Sequence, residues 1–109
     1  MRIAFFGLPL AALLLRGDGH AVVYAGICRR GALGTRRLVR ALGEANVDLV
    51  PNLDAPEMLA RVADARPDLI VSWFWTKRIP PKILDQARMG ALGVHPSLLP
   101  RHRGPDPYY

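Results

Sequence analysis

The chain has 109 residues, half of them hydrophobic and 22% charged, with a formal net charge of +6. A chain of this length buries one hydrophobic core but not two, and this composition excludes an intrinsically disordered tail. The single cysteine, Cys28, excludes a disulfide framework and a cysteine-built zinc site, and no histidine has a carboxylate at ligand spacing. The charge excess comes from 13 Arg and 2 Lys against 9 Asp and Glu, which permits an anionic partner, either nucleic acid or a polyanionic cofactor. We therefore expect one small domain without a metal centre.

The apolar start of the chain has two interpretations. Met1 and a basic residue followed by apolar residues to Leu15 resemble a secretory signal. Gly7 and Pro9 interrupt that run, however, and no small-x-small cleavage site follows Leu15. No apolar run approaches the roughly 20 residues that a membrane span needs. We therefore favour a cytoplasmic protein that does not enter a membrane.

Segments typical of strands and helices alternate along the chain. The predicted strands are short apolar runs closed by Gly or Pro, at 2–7, 21–28, 47–51, 68–73 and 90–95. The predicted helices begin with Pro or, at Thr35, with a capping hydroxyl, and cover 9–16, 35–46, 56–66 and 80–88. This alternation predicts a Rossmann-like α/β fold, with a parallel sheet and helices on both faces.

Ligands of parallel sheets bind beyond the carboxyl ends of the strands, so the loops after Gly7, Cys28, Trp73 and His95 are the candidate site. The first loop has a single glycine, and neither GxGxxG nor GxxxxGK[ST] occurs, which removes the main support for a nicotinamide, flavin or P-loop site. Gly7 itself is expected to make a tight turn into the helix, with close approach of a ligand as the alternative.

His95 is the candidate for proton transfer, because it ends a predicted strand and begins a proline-stiffened loop, HPSLLPRHRG. An unperturbed imidazole pKa near 6.5 suits general acid and base chemistry at neutral pH. A structural histidine is the alternative at such a position.

Three segments in order resemble the tetrahydrofolate-dependent formyltransferases, a family whose members act on methionyl-tRNA, glycinamide ribonucleotide or sugars. RIAFFGLP is similar to the first strand and turn of the family. RPDLIVSWFWTKRIPPKIL is similar to the strand and loop before the family signature, and GALGVHPSLLPRHRG to the signature and its strand. The resemblance implies transfer of a formyl group from 10-formyltetrahydrofolate to an amine.

The family uses a triad of Asn, His and Asp, and the resemblance carries only one member to this chain. His95 matches the histidine, whereas Gly93 stands at the asparagine position, and the aspartate position falls beyond Tyr109. Gly93 lacks the side-chain donor that would stabilise the oxyanion, a loss typically worth about a hundredfold to a thousandfold in rate. Two explanations stay open: another donor is used, or the chemistry is different or slower.

The resemblance also implies where the folate donor binds. The segment 75–81 matches the family loop that wraps the pterin largely through backbone groups, and SLLP matches the rigid loop beside the formyl group. The residues implied are Trp75, Arg78, Ile79, Pro80, Ser97, Leu98, Leu99 and Pro100. Trp73, Phe74 and Trp75 are apolar walls of this site in one interpretation and core residues in the other.

A basic segment follows the second predicted strand and contains Arg29, Arg30, Arg36, Arg37 and Arg40. In family members that act on tRNA, a basic loop at this place touches the acceptor arm, which implies tRNA contact through Arg36 and Arg37. A solvated loop and helix face is the alternative that we favour.

The family's catalytic domain is roughly twice as long as this chain. The resemblance therefore implies that residues 1–109 are the amino-terminal portion of a formyltransferase catalytic domain, truncated after the fifth strand. Hydrolysis of the formyl donor by water is a second enzymatic interpretation. A degenerate folate-binding or interaction domain is the non-enzymatic one, and Gly93 is its main support. The acceptor and the oligomeric state are left open.

Overall fold

Parallel strands form one sheet in the computed structural model, which describes residues 1–94 and, at Val94, the backbone alone. Within that range the strands are β1 (Arg2–Gly7), β2 (Ala21–Ile27), β3 (Val47–Leu49), β4 (Leu69–Trp73) and β5 (Ala91–Val94). The helices are α1 (Pro9–Gly17), α2 (Thr35–Leu42), α3 (Pro56–Ala65) and α4 (Pro81–Leu84), with a 3-10 turn at Glu44–Asn46. The order across the sheet is β3-β2-β1-β4-β5, and all neighbours are parallel. The predicted Rossmann-like α/β fold is confirmed.

Burial on both faces of β1 explains its unbroken apolar sequence. Ile3 and Phe5 pack with residues of α1 and α2 on one face, whereas Ala4 and Phe6 pack with residues of α3 and α4 on the other. Alternate residues of a strand point to opposite faces, so each face of the sheet has its own core cluster. The segment that resembles a secretory signal is thus β1 and α1 of the fold.

Each strand and helix begins within one residue of its predicted start, because Pro and Gly mark those starts in the sequence. Two predicted ends are wrong. The last helix is α4, which ends at Leu84 rather than at residue 88. The backbone N–H groups of Gln86 and Ala87 donate to carbonyls three residues earlier, whereas an α-helix requires carbonyls four residues earlier. The third strand is β3, which ends at Leu49 because Val50 takes a left-handed φ of 47°.

The predicted cap and length of α2 are also wrong. Gly34, with a φ of 94°, is the N-cap residue, and the Thr35 hydroxyl donates to the Ala32 carbonyl at 2.6 Å instead of capping the helix. Gly43 ends α2 with a φ of 93°, and the chain continues as the 3-10 turn. Glycine adopts a positive φ at the end of a helix without the steric cost that a Cβ atom would add.

One polar network ties β2, β3 and α3 together. The Tyr24 hydroxyl donates to Asp48 at 2.8 Å, and the Arg61 guanidinium pairs with the same carboxylate at 2.6 Å and lies over the Tyr24 ring. Burial, and then the Asp48 carboxylate, raise the pKa of the Tyr24 phenol above its ordinary value. The phenol therefore stays protonated and acts as a donor.

Candidate functional site

The candidate site lies where the strand order reverses. After β1 the chain builds β2 and β3 on one side of the sheet, and then crosses to build β4 and β5 on the other side. The loops that follow β1 and β4 separate at this point and leave a crevice at the carboxyl ends of the strands.

A cavity of about 350 Å³ occupies this crevice, within the range of ligand pockets. We call it the switch-point cavity, and its lining residues come from the ends of β1, β2 and β4: Leu8, Cys28, Arg29, Phe74 and Thr76. Two of these side chains are apolar, and the other three carry a hydroxyl, a thiol and a guanidinium. This combination suits a ligand with a flat ring and an anionic group.

Gly7 allows β1 and β4 to lie close together beside the switch-point cavity. A Cβ atom at this residue would lie 1.7 Å from the Trp73 carbonyl oxygen, so only glycine allows β1 and β4 to approach here. The Leu8 N–H donates to that same oxygen at 3.1 Å, and the Cys28 N–H donates to the Gly7 carbonyl at 3.0 Å. These bonds support the tight-turn interpretation of Gly7.

The three consecutive aromatic residues after the middle of β4 have three different environments. Trp75 is 2% exposed and packs on Phe6, with 5.6 Å between ring centroids. Phe74 is 37% exposed, has a left-handed φ of 64° and lines the switch-point cavity. Trp73 packs against the core on the α1 and α2 face. Phe74 is thus the aromatic wall of the cavity, and the predicted pterin contact of Trp75 stays a prediction.

The predicted pterin loop is divided between a second cavity and the core. Arg78 and Pro80 line a cavity of about 200 Å³ together with Lys77 and residues 51–54, which follow β3. We call it the loop cavity. Ile79 is 1% exposed and belongs to the core. The structure therefore places the exposed Arg78 and the buried Pro80 along the loop cavity, and it places Ile79 in the core.

Cys28 is the reactive residue type in the switch-point cavity, but its environment disfavours the thiolate. The thiol is half-buried, and burial raises the pKa of Cys28 above its ordinary value. Because the thiolate is the nucleophilic form, we assign Cys28 to the wall of the cavity.

Ser72 is a buried polar residue near the carboxyl end of β4 that the sequence analysis did not single out. It lies on β4 in register with Gly93 on β5, and it is 1% exposed. Its hydroxyl has no hydrogen-bond partner among residues 1–94. The sequence signal is one polar residue inside the apolar strand LIVSW, at a position where the alternation points to the core.

Five arginines in the segment after β2 form what we call the arginine surface, and all five are exposed. No ion pair or side-chain hydrogen bond holds any of its guanidinium groups within the described part of the chain: Arg29, Arg30, Arg36, Arg37 and Arg40. By contrast, the guanidinium groups of Arg2, Arg61 and Arg88 all have partners. Free guanidinium groups are available to an anionic partner, and both earlier interpretations of this surface stay predictions.

The remaining predicted site residues lie outside the described residues. They are His95, Ser97, Leu98, Leu99 and Pro100. His95 is the next residue in the sequence after β5, whose last residue, Val94, pairs with Trp73 at the carboxyl end of β4. Their proposed roles stay predictions.

A larger cavity, of about 730 Å³, lies at the opposite end of the sheet and is lined by Arg2, Arg16, His20, Asp64 and their neighbours. We call it the amino-end cavity. Parallel sheets bind ligands at the carboxyl end, so its size does not make it the candidate site.

Across residues 1–94, no group of three His, Cys, Asp or Glu side chains is arranged to hold a metal ion. No helix in that range has the length and apolar character to cross a membrane.

Comparison with known proteins identifies relatives of the chain. The family model described as formyl transferase matches residues 29–109. Methionyl-tRNA formyltransferase from Thiobacillus denitrificans is 33% identical over 98% of this chain and 38% of the relative. The enzyme of the same name from Dehalococcoides mccartyi is 34% identical, with the same coverage of 98% and 38%. The chain thus spans about two fifths of the length of these relatives.

A solved structure with a similar fold is glycinamide ribonucleotide transformylase 1 from Geobacillus kaustophilus. It superposes with a TM-score of 0.65 at 23% sequence identity, covering 96% of this chain and 63% of that chain. This similarity concerns the fold alone.

Proposed function

Because the chain belongs to the formyl transferase family, we propose that the protein carrying it transfers a formyl group from 10-formyltetrahydrofolate to an amine. The observation that carries this proposal is the match of the family model over residues 29–109, which include the end of β5 and His95. The switch-point cavity supports it, since it lies where a parallel sheet binds ligands and combines apolar walls with a guanidinium.

We place the donor across the switch-point and loop cavities. Leu8 and Phe74 supply apolar surface for the pterin ring, and Arg78 and Pro80 border it from the loop after β4. Arg29 lines the switch-point cavity, and its guanidinium offers a positive charge to an anionic part of the donor. Ser97, Leu98, Leu99 and Pro100 keep their predicted place beside the formyl group.

His95 is the proposed proton-transfer residue. The attacking amine nitrogen forms a bond to the formyl carbon, and the carbonyl electron pair moves to the oxygen. When the carbonyl reforms, the bond to the folate nitrogen breaks, and that nitrogen takes up the proton that the amine loses. An imidazole is suited to carry this proton, because its pKa lies near neutral pH.

Methionyl-tRNA is the proposed acceptor, supported by the names of the relatives and by the free guanidinium groups of the arginine surface. Replacing Arg36 and Arg37 with Ala is expected to weaken tRNA binding and to reduce its salt dependence by at most about two units of slope. Arg16→Ala, at the amino-end cavity, is the matched control and should leave the slope unchanged. An unchanged slope in the double variant would assign Arg36 and Arg37 to a solvated face.

The test of the reaction uses the protein in its natural full length with formyl-labelled 10-formyltetrahydrofolate. Label is expected to appear in methionyl-tRNA, and His95→Ala should reduce this transfer by about 10²-fold to 10⁴-fold. Release of labelled formate without an acceptor would instead indicate the hydrolase. Binding of the donor without either product would indicate the folate-binding module, the second candidate, which Gly93 favours. The expected cytoplasmic location stays a prediction.

A further inference from the structure

Ser72 carries a buried hydroxyl and lies in register with Gly93. Ser72 is 1% exposed, and its Oγ has no hydrogen-bond partner among residues 1–94. Buried polar side-chain atoms in proteins are nearly always bonded, and an exception calls for an explanation. Alanine would fill a similar volume in this strand without leaving a polar group unbonded. The hydroxyl is therefore not explained by packing.

The register of β4 and β5 places Ser72 directly beside Gly93. Neighbouring strands lie about 4.8 Å apart, and residues two apart on a strand share a face. The preceding register pair, Ile70 and Ala91, packs in the core cluster on the α3 and α4 face, so Ser72 and Gly93 belong to that face too. Gly93 carries no side chain, and no group from that position competes for the Ser72 hydroxyl.

Two other polar groups near the carboxyl end are poorer candidates for a donor at this position. Thr76 is exposed, and its hydroxyl is already solvated. Cys28 follows β2, which is separated from β5 by two strands, and a thiol is a weak donor. Ser72 alone among these three is on β4, in register with the position at which the family donor is missing.

We propose that the Ser72 hydroxyl donates the hydrogen bond to the formyl oxygen that the glycine at position 93 cannot supply. This inference rests on the proposed formyl transfer. As the amine nitrogen bonds to the formyl carbon, negative charge accumulates on the formyl oxygen, and Ser72 stabilises it without giving up its proton. When the carbonyl reforms and the folate nitrogen leaves, the hydrogen bond weakens again. A donor that is already dehydrated needs little reorganisation to act in this way.

The experiment compares Ser72→Ala with the unchanged protein in its natural full length. Loss of one oxyanion donor lowers kcat by about 10²-fold to 10³-fold, and a smaller change is expected in KM. Ser72→Cys, with a weak donor of similar size, should be intermediate. The unfolding midpoint of Ser72→Ala should be unchanged or higher, because the variant removes an unbonded buried hydroxyl. Introducing Gly93→Asn into Ser72→Ala should restore transfer.

Val71→Ala is the matched control, since Val71 is the next residue on β4, is 4% exposed and packs on the opposite face. It should lower the unfolding midpoint and leave kcat unchanged. A second readout is independent of turnover: in the absence of an amine, the infrared stretch of the bound, isotope-labelled formyl carbonyl should move to higher frequency in Ser72→Ala. A hydrogen bond that is lost from a carbonyl oxygen has this signature.

Different results separate the two proposals. If the unchanged protein transfers formyl and Ser72→Ala does so within twofold, the role of Ser72 is overturned and the proposed function stands. A loss of activity that is accompanied by a lower unfolding midpoint and an unchanged carbonyl frequency would show that Ser72 has only a structural role. If the unchanged protein neither transfers formyl nor binds the donor, both proposals are overturned together.

Discussion

The two ends of the sheet differ in how completely their polar groups are paired. At the amino end, the Arg2 guanidinium donates to two backbone carbonyls at the end of α3, and Asp68 accepts from the Arg2 N–H at 2.9 Å and from Arg88 at 3.0 Å. At the carboxyl end, the Ser72 hydroxyl is buried and has no partner within residues 1–94, whereas exposed guanidinium groups without a side-chain partner occur at both ends, as at Arg29 and Arg16. The amino-end cavity is nevertheless the larger, at about 730 Å³ against about 350 Å³.

The larger cavity and the buried hydroxyl without a partner among the described residues thus lie at opposite ends of the sheet, so we do not infer the ligand site from cavity size. The paired groups of the amino end satisfy one another and connect the starts of β1 and β4. The buried Ser72 hydroxyl at the carboxyl end costs stability unless a ligand completes it, whereas the exposed guanidinium groups are solvated. We expect the amino end to contribute stability and the carboxyl end to bind a ligand.

The largest expected effect is at Gly7. Gly7→Ala places a Cβ atom 1.7 Å from the Trp73 carbonyl oxygen at a φ of 148°, so the backbone of β1 or β4 must move. We expect the free energy of unfolding to fall by more than about 4 kcal/mol, measured by chemical denaturation. Gly19→Ala, at the amino end, has a φ of 97° and nothing within 4 Å of its Cβ position, and should cost only about 1 kcal/mol. Equal losses would show that Gly7 does not hold the strands together.

The polar network of Tyr24, Asp48 and Arg61 gives the second effect. Asp48→Ala leaves the buried Tyr24 hydroxyl without its carboxylate acceptor and removes the ion pair with Arg61. We expect a loss of about 2 kcal/mol in the free energy of unfolding. Asp64→Ala, which removes an exposed carboxylate on the same helix as Arg61, is the control and should change the free energy of unfolding by less than about 0.5 kcal/mol. A negligible effect of Asp48→Ala would mean that the pairing described here contributes no stability.

A smaller effect is expected at Phe74, where the carboxyl end contains an unfavourable backbone conformation. Phe74→Gly and Phe74→Ala both remove the ring, but only glycine tolerates a φ of 64° without steric cost. The glycine variant should therefore be more stable than the alanine variant by about 1 kcal/mol. Both should bind the folate donor more weakly, because both lose the aromatic wall of the switch-point cavity. A more stable alanine variant would contradict the left-handed backbone at this residue.

The smallest effect is the pH dependence contributed by Asp68. The Arg2 N–H, and then the Arg88 guanidinium, lower the pKa of Asp68 below its ordinary value. The folded protein thus favours the charged carboxylate, which stabilises it above the unfolded pKa near 3.9 and ceases to do so as the pH falls through the folded pKa. Asp68→Asn should be less stable at pH 7, and its difference from the unchanged protein should shrink below about pH 4. A difference that does not vary with pH would exclude this linkage.

Much of the fold was predictable because residue types in the sequence mark where each helix and strand begins. Prolines at the starts of α1, α3 and α4 and apolar runs of strand length place the elements without any tertiary information. The end of α2 was not predictable in this way. Its apolar pattern continues past Gly43, and that pattern outweighed the glycine, which is a common helix stop signal and ends α2 with a positive φ.

The site was predictable as a set of loops but not side chain by side chain. The carboxyl ends of β1, β2 and β4 were expected to form it, and their residues do line the switch-point cavity. Which aromatic residue faces the cavity depends on the φ of Phe74, which breaks the alternation of β4 and turns Trp75 into the core. Ser72 escaped notice because its neighbour across the strands, Gly93, is known only from the register.

The measurement that most directly tests which end binds the donor is a titration of the isotope-labelled protein with 10-formyltetrahydrofolate, followed by backbone amide NMR. The amide signals of Leu8, Cys28, Phe74 and Thr76, around the switch-point cavity, are expected to shift, whereas those of Arg16, His20 and Leu42, around the amino-end cavity, should not. Shifts confined to the amino-end cavity would contradict the assignment of the folate site to the carboxyl end of the sheet.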